Sequence, residues 1–314
     1  PSAWRTTPVA RLTFYVSVGS SSMTSDSSQS ANIEHTSGNF AGVRGNQIFF
    51  QEWAPKDAPA RGVILIVHGY AEHSGRYSAL ATDLVEAGFA VGALDHRGHG
   101  QSEGKRVQVQ EFDDLVDDLS TYEGLLRGRY PAPLPLFILG HSMGGLISLR
   151  YVTRDDSEAT GLVLSGAAAD KPDDISSLTI TIGNLLAKVA PDFGVASLQL
   201  DKISRDPAVV EAYENDPLVT HGKVRARMGS EMINAMDVTG KALPTLTVPI
   251  LIMHGGDDVV TPPHGSKMIS EKVGSQDKTL TIYDGLYHEI YNEPERDVVI
   301  ADVVAWLNER VPQD

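Results

Sequence analysis

Short apolar runs recur along the chain: Val63-Ile64-Leu65-Ile66-Val67, then residues 90–94, 136–139, 161–164, 250–253 and 280–283. Four or five such residues in a row are too few for a buried helix. They suit a strand covered on both faces, as in a parallel sheet. Most are separated by stretches of helical period, at 77–87 and 116–127, from about Gly145 onward, and in a terminal stretch through Trp306. Strands alternating with helices require crossovers, so the pattern predicts a mostly parallel central sheet with helices on both faces. Ahead of it, residues 43–50 read as a hairpin turning on Gly45-Asn46.

The alternation lapses between about Ala168 and Leu243, where no strand-like run occurs but helical stretches do, at 178–189 and 206–214. That interval is too long for a connecting loop. It reads as a helical cap, residues 168–243, placed over the carboxyl edge of the sheet, where open α/β sheets bind ligands. The core is then 32–167 together with 244–314. Apolar residues at 178, 182, 185, 186 and 189 form a helical stripe within the cap,. Such a stripe serves either as the cap's own core or as a lining for the mouth of the pocket. Residues 1–31 are set apart by the serine-, threonine- and glycine-rich stretch from Ser17 to Ser30. This composition cannot offset the entropy of ordering. The segment is expected to be a disordered extension, with Met23 as a natural start, and residues 12–18 lack the cleavage site of a signal peptide.

Composition narrows the function classes. The 314 residues are 41% hydrophobic, which is ample for a large core, and carry a net charge of −15. That charge argues against nucleic acid or anionic membranes as partners. No run approaches 18 apolar residues, so no membrane-spanning helix is expected. Cysteine is absent, which removes thiolate nucleophiles, disulfides and cysteine-bound metals,. The turn from Asp95 to Ser102 holds Asp, His and Ser together. Its glycines and its place after a strand make it a structural turn beside the site.

Gly140-His141-Ser142-Met143-Gly144 stands between the apolar run at 136–139 and a helical stretch. Strand, G-x-S-x-G, helix is the nucleophile elbow of an α/β-hydrolase. A serine on so tight a turn is strained, and its neighbours two residues away must be nearly free of side chain. A serine hydroxyl needs a base to take its proton and an acid to orient that base. In this fold the acid follows a late strand and the histidine comes after the last one. Asp257 and Asp258 follow the run at 250–253. The pattern G-x-x-D starting at Gly255 selects Asp258, leaving Asp257 to the loop or to water. His288, the one histidine after the last strand, is the candidate base. The oxyanion donors expected by position are the backbone N–H groups of Met143 and of Tyr70, in the loop His68-Gly69-Tyr70. No cofactor or metal is called for.

With these residues in place the chain resembles the monoacylglycerol lipase family. The likeness rests on His68-Gly69-x-x-Glu72-His73-Ser74-Gly75-Arg76-Tyr77, on Gly98-His99-Gly100-Gln101-Ser102-Glu103-Gly104, and on the elbow with Gly145. It continues through Tyr213-x-x-Asp216-Pro217-Leu218 in the cap and Ser275-Gln276-Asp277-Lys278-Thr279-Leu280 before the last strand. It implies hydrolysis of monoacylglycerols to glycerol and fatty acid, with Ser142, Asp258 and His288 as triad. It also implies a glycerol pocket at Glu72, Arg76 and Tyr213, although Glu72 and Arg76, four apart, also suit a simple ion pair bracing the loop. The expected partner is a lipid ester, met by a cytoplasmic protein whose cap touches membrane or micelle. A broader carboxylesterase or lysophospholipase would use the same triad, and a non-catalytic ligand receptor could keep the same scaffold.

Overall fold

The computed structural model describes residues 32–154, 157–171, 177–197 and 199–312. The serine-rich segment expected at the start lies outside the described residues. Strands β1 (Ile33–Ala41), β2 (Gln47–Pro55), β3 (Val63–Val67), β4 (Ala90–Leu94), β5 (Leu136–His141) and β6 (Gly161–Ser165) precede the long insertion. Two short strands, β7 (Gly194–Ala196) and β8 (Val224–Arg225), lie inside it. β9 (Ile250–Gly255) and β10 (Lys278–Tyr283) follow. Eight of these form one sheet in the order β1-β2-β4-β3-β5-β6-β9-β10, antiparallel at β1, β2 and β4 and parallel from β4 through β10.

The alternation of side chains along β3 sorts the core into two halves. Val63, Leu65 and Val67 face α2 (Asp113–Arg129) and α3 (Met143–Val152), meeting Leu115, Leu119 and Leu146. Ile64 and Ile66 face α1 (Ser78–Glu86) and, near the C-terminus, α8 (Arg296–Asn308), with Leu84, Val303 and Trp306. Each buried Val, Leu or Ile contributes roughly 1.5–3 kcal/mol relative to exposure. A strand with no polar position is therefore stable only when covered on both sides.

Two expectations need correcting. The hairpin is β1 with β2, paired through Ala41 and Gln47, so its turn spans Gly42 to Asn46 and its first strand starts at Ile33. The turn places Arg44 and Gly45 at φ 57° and 81°. β1 went unread because it is an edge strand, mostly exposed, whose sequence carries no apolar alternation,. The interval after β6 also contains strand structure, the β7–β8 pair. Three and two residues are too few to leave a pattern.

Among the described residues the insertion also holds three helices, α4 (Ser177–Val189), α5 (Pro207–Asn215) and α6 (Ala226–Ala242), before α7 (His264–Lys272) in the core. Asp206 caps α5 by accepting from the Ala208 N–H at 2.9 Å, with Pro207 in the first turn,. The stretch after residue 202 is tied to two loops beyond strand ends. Thr220 N–H donates to Ala71 O at 2.8 Å and Glu289 N–H to Ile203 O at 2.8 Å. His73 Nδ1 accepts from Gly75 N–H, so its Nε2 carries the proton donated to Asp216 at 2.8 Å. The insertion is thus seated on the carboxyl side of the sheet. Among the described residues no helix is long and apolar enough to cross a membrane.

Candidate active site

The elbow is built by close approach of β5 and α3. A Cβ on Gly144 would lie 2.0 Å from Val67 O, and one on Gly140 would lie 2.5 Å from Ser148 Oγ. Glycine at both positions lets the helix start directly above the strand end. The turn forces Ser142 to φ 53°, ψ −119°, a conformation L-residues avoid,. Backbone bonds hold it there: Ser142 N–H donates to Ser165 O at 3.0 Å, and Ser142 O accepts from Ala168 N–H at 3.0 Å.

Asp258 and His288 come from the loops after β9 and β10. Gly255 brings them together, for its Cβ would fall 2.0 Å from Tyr287 O, so the chain leading to His288 passes directly against the turn carrying Asp258. His288 Nδ1 lies 2.7 Å from Asp258 Oδ2 and donates to it, which leaves Nε2 as the acceptor nitrogen of the neutral ring,. Asp258 is 4% exposed, and Oδ1 accepts the Val260 and Thr261 N–H groups at 2.8 and 3.0 Å. Asp257 is exposed, its N–H spent on Leu286 O. The geometry therefore brings Asp258, and not Asp257, to His288.

The electrostatics follow from that contact. Burial works against the charged form of His288, but the charge and hydrogen bond of Asp258 outweigh it, and the ring is raised above its ordinary 6.5. Burial likewise opposes ionisation of Asp258, yet His288 and a hydrogen bond from His254 hold it well below the usual carboxylate range,. His141, beside the serine, packs at a tilt against His288 with ring centroids 4.6 Å apart. Burial, helped by the His288 charge, pushes His141 down to about 4, so it stays neutral.

The loop expected to supply an oxyanion donor is fixed from both sides. Gly69 N–H donates to Glu72 Oε1 at 2.6 Å. His68 Nε2 accepts from the His96 N–H at 2.9 Å, so its Nδ1 carries the proton donated to Gly69 O at 2.8 Å. That carbonyl shares its peptide unit with the Tyr70 N–H, whose direction is set with it. A Cβ on Gly69 would sit 3.2 Å from Ser142 Cβ, so the loop passes beside the serine. Met143 buries its side chain completely and presents the first N–H of α3 there,. Asp95 anchors the neighbouring turn, accepting from Ser74 and Gln101 N–H groups at 2.8 and 2.7 Å.

Glu72, Arg76 and Tyr213 also meet. Arg76 donates to Glu72 Oε2 at 2.7 Å and, through both terminal nitrogens, to Glu289 at 2.7 and 2.8 Å. Its guanidinium lies 4.6 Å from the centre of the Tyr213 ring. Tyr77 OH donates to Glu72 Oε1 at 2.7 Å. The four-residue ion pair is present, and it extends to Glu289, the residue after the base, which no sequence spacing reveals. His254 and Thr261, on the far side of Asp258, are likewise visible only in three dimensions.

Comparison with known proteins gives this arrangement its relatives. Residues 58–295 match the family model described as serine aminopeptidase, S33. A monoacylglycerol lipase from Mycolicibacterium smegmatis is 42% identical over 278 residues, covering 88% of this chain and 98% of its own. A monoglyceride lipase from Rattus norvegicus is 35% identical, covering 85% and 88%. The solved structure of a soluble variant of the Saccharomyces cerevisiae monoglyceride lipase, in complex with a substrate analog, superposes with a TM-score of 0.79 at 27% identity, covering 91% and 98%. An elbow serine beside an Asp–His pair, on an eight-stranded sheet and in a chain this similar, leads to one conclusion: the protein belongs to the monoacylglycerol lipase family of serine α/β-hydrolases.

Proposed function

We propose that this protein hydrolyses monoacylglycerols to glycerol and free fatty acid through an acyl-enzyme on Ser142. His288 Nε2 takes the Ser142 proton as the hydroxyl attacks the ester carbonyl, and Asp258 steadies the imidazolium that forms. The negative oxygen is held by the N–H groups of Met143 and Tyr70. His288 returns the proton to the departing glycerol oxygen, and then activates water to release the fatty acid. The observation that carries this reading is the 2.7 Å contact between Asp258 and His288, whose ring lies 4.6 Å from that of His141, the residue before the elbow serine. Likeness to monoacylglycerol lipases supports the substrate class, because coverage of 88% leaves no room for omitting the insertion.

Glu72, Arg76 and Tyr213 enter this reading as the wall at the glycerol end, held rigid by their mutual contacts. The acyl chain and its source are assigned to the cap. Ile182, Leu185 and Val189 on α4 are 51%, 60% and 70% exposed, with Phe193 beyond them at 58%, an apolar face suited to the micelle or bilayer that delivers substrate,. The side chain of Leu178 lies outside the described residues. The test is kcat/KM for monolaurin beside dilaurin and trilaurin in one detergent. A second acyl chain would have to lie against the buried Glu72–Arg76–Glu289 group. At roughly 1–3 kcal/mol for each polar group left unsatisfied, two such losses give a preference of about thirtyfold or more. Comparable rates on all three would leave a general carboxylesterase.

A further inference from the structure

His254, the penultimate residue of β9, is fully buried, yet none of its polar atoms is used in the reaction described above. Its Nε2 lies 2.5 Å from Thr261 O and 3.0 Å from Asp258 Oδ2. Both are acceptors, so Nε2 carries a proton. Nδ1 is then the acceptor for the Ser266 hydroxyl, 2.7 Å away on α7,. The tautomer is fixed by its neighbours, and the one Nε2 proton is donated to Thr261 O, with Asp258 Oδ2, the oxygen that takes the His288 Nδ1–H at 2.7 Å, as its second and longer contact.

We propose that His254 is a positioning residue of the reaction: by sharing Oδ2 of Asp258 with His288 it anchors the carboxylate, draws off part of its charge, and sets the pH at which His288 becomes a base. The inference rests on the triad assigned above. A carboxylate oxygen that accepts two ring N–H groups offers less charge to each. The Thr261 hydroxyl, 3.0 Å from Asp258 Oδ2 and 2.8 Å from Gly166 O, divides its one proton in the same way and is unchanged when His254 is replaced. Other groups facing His288 do not cancel the effect. His141 stays neutral to about pH 4, while Glu289 and Glu72 both favour the charged ring from the opposite side. Their influence is constant when His254 is changed.

The experiment is the pH dependence of kcat/KM for p-nitrophenyl butyrate, a substrate whose use does not depend on the monoacylglycerol assignment. His254→Phe keeps a ring but removes the donor. Its acid limb is expected to move upward by roughly half to one unit, with the plateau falling on the order of tenfold. His254→Gln, whose side-chain amide restores an N–H toward Oδ2, is expected to bring the limb back toward the wild type. An active His254→Phe with an unmoved limb would overturn the proposal and leave the triad standing. Full activity in Ser142→Ala would overturn the triad, and this inference with it. Should His254→Phe fail to fold, the wild-type protein decides by proton NMR. The downfield His254 Nε2 proton is expected to shift with the same midpoint as the acid limb, and a resonance indifferent to that titration would rule the coupling out.

Discussion

A serine at φ 53° is held there by the packing of its neighbours, and its own side chain contributes little to that packing. Ser142→Ala is therefore expected to fold with a near wild-type melting temperature while kcat falls at least about 10⁴-fold. Asp258→Asn is expected to cost kcat on the order of 10⁴-fold, and Asp257→Asn, at an exposed residue, to stay within about twofold,. The reverse ranking in steady-state assays would reassign the acid. In the proposed mechanism the working form of His288 is the neutral ring, which is populated above its pKa. Because Asp258 raises that value above 6.5, the half-activity point of kcat/KM is expected on the alkaline side of 6.5, with loss of activity as pH falls through it. A limb below 6 would contradict a base paired with an ionised aspartate. At this scale the sequence pointed to the residues proposed to react but concealed those packed around them. Ser142, Asp258 and His288 follow from motif and strand order. Glu289 and His254 act through contacts that chain spacing does not encode, the first across 213 positions to Arg76.

Elements were legible in proportion to their burial. β3 and β4 are buried at every position, and their apolar runs match their ends. β1, β7 and β8 carry no such signal, since a strand that faces water or lasts two residues need not be apolar,. The turns between elements were legible through glycine where backbones touch. Gly255→Ala would press a methyl group against Tyr287 O, and the loop carrying His288 would have to move. The expected cost is roughly 1–3 kcal/mol of stability with a drop in kcat/KM beyond tenfold, read from thermal melts and initial rates. Arg76 joins the loop after β3 to the one after β10. Arg76→Met would strand Glu72 and Glu289, both under 10% exposed, without their cation. Loss of about 3–5 kcal/mol in denaturant unfolding is expected. A variant as stable as the wild type would show the pairing to be dispensable.

On the scale of the whole molecule, the insertion is fastened unevenly. Its stretch from Ile203 to Thr220 is bonded to the loops on either side of the catalytic residues, and Arg205 pairs with Glu293 at 2.9 Å. α4 instead leans on α6, where Ser230 Oγ donates to Asn184 Oδ1 at 2.6 Å, and turns apolar residues outward. Leu185→Ser with Val189→Ser is expected to lower turnover of monolaurin in vesicles several-fold while leaving soluble p-nitrophenyl butyrate unaffected. Equal losses on both would place the stripe in the cap's packing. With a net charge of −15, turnover is also expected to be lower on anionic than on zwitterionic vesicles, the gap narrowing as salt screens it,. The same uneven fastening gives the molecule an exchangeable part. Grafting the α4 stretch of a relative onto this chain would retarget the enzyme to another interface while its pH profile stayed put, so adaptation to a new lipid need not pass through a catalytically damaged intermediate.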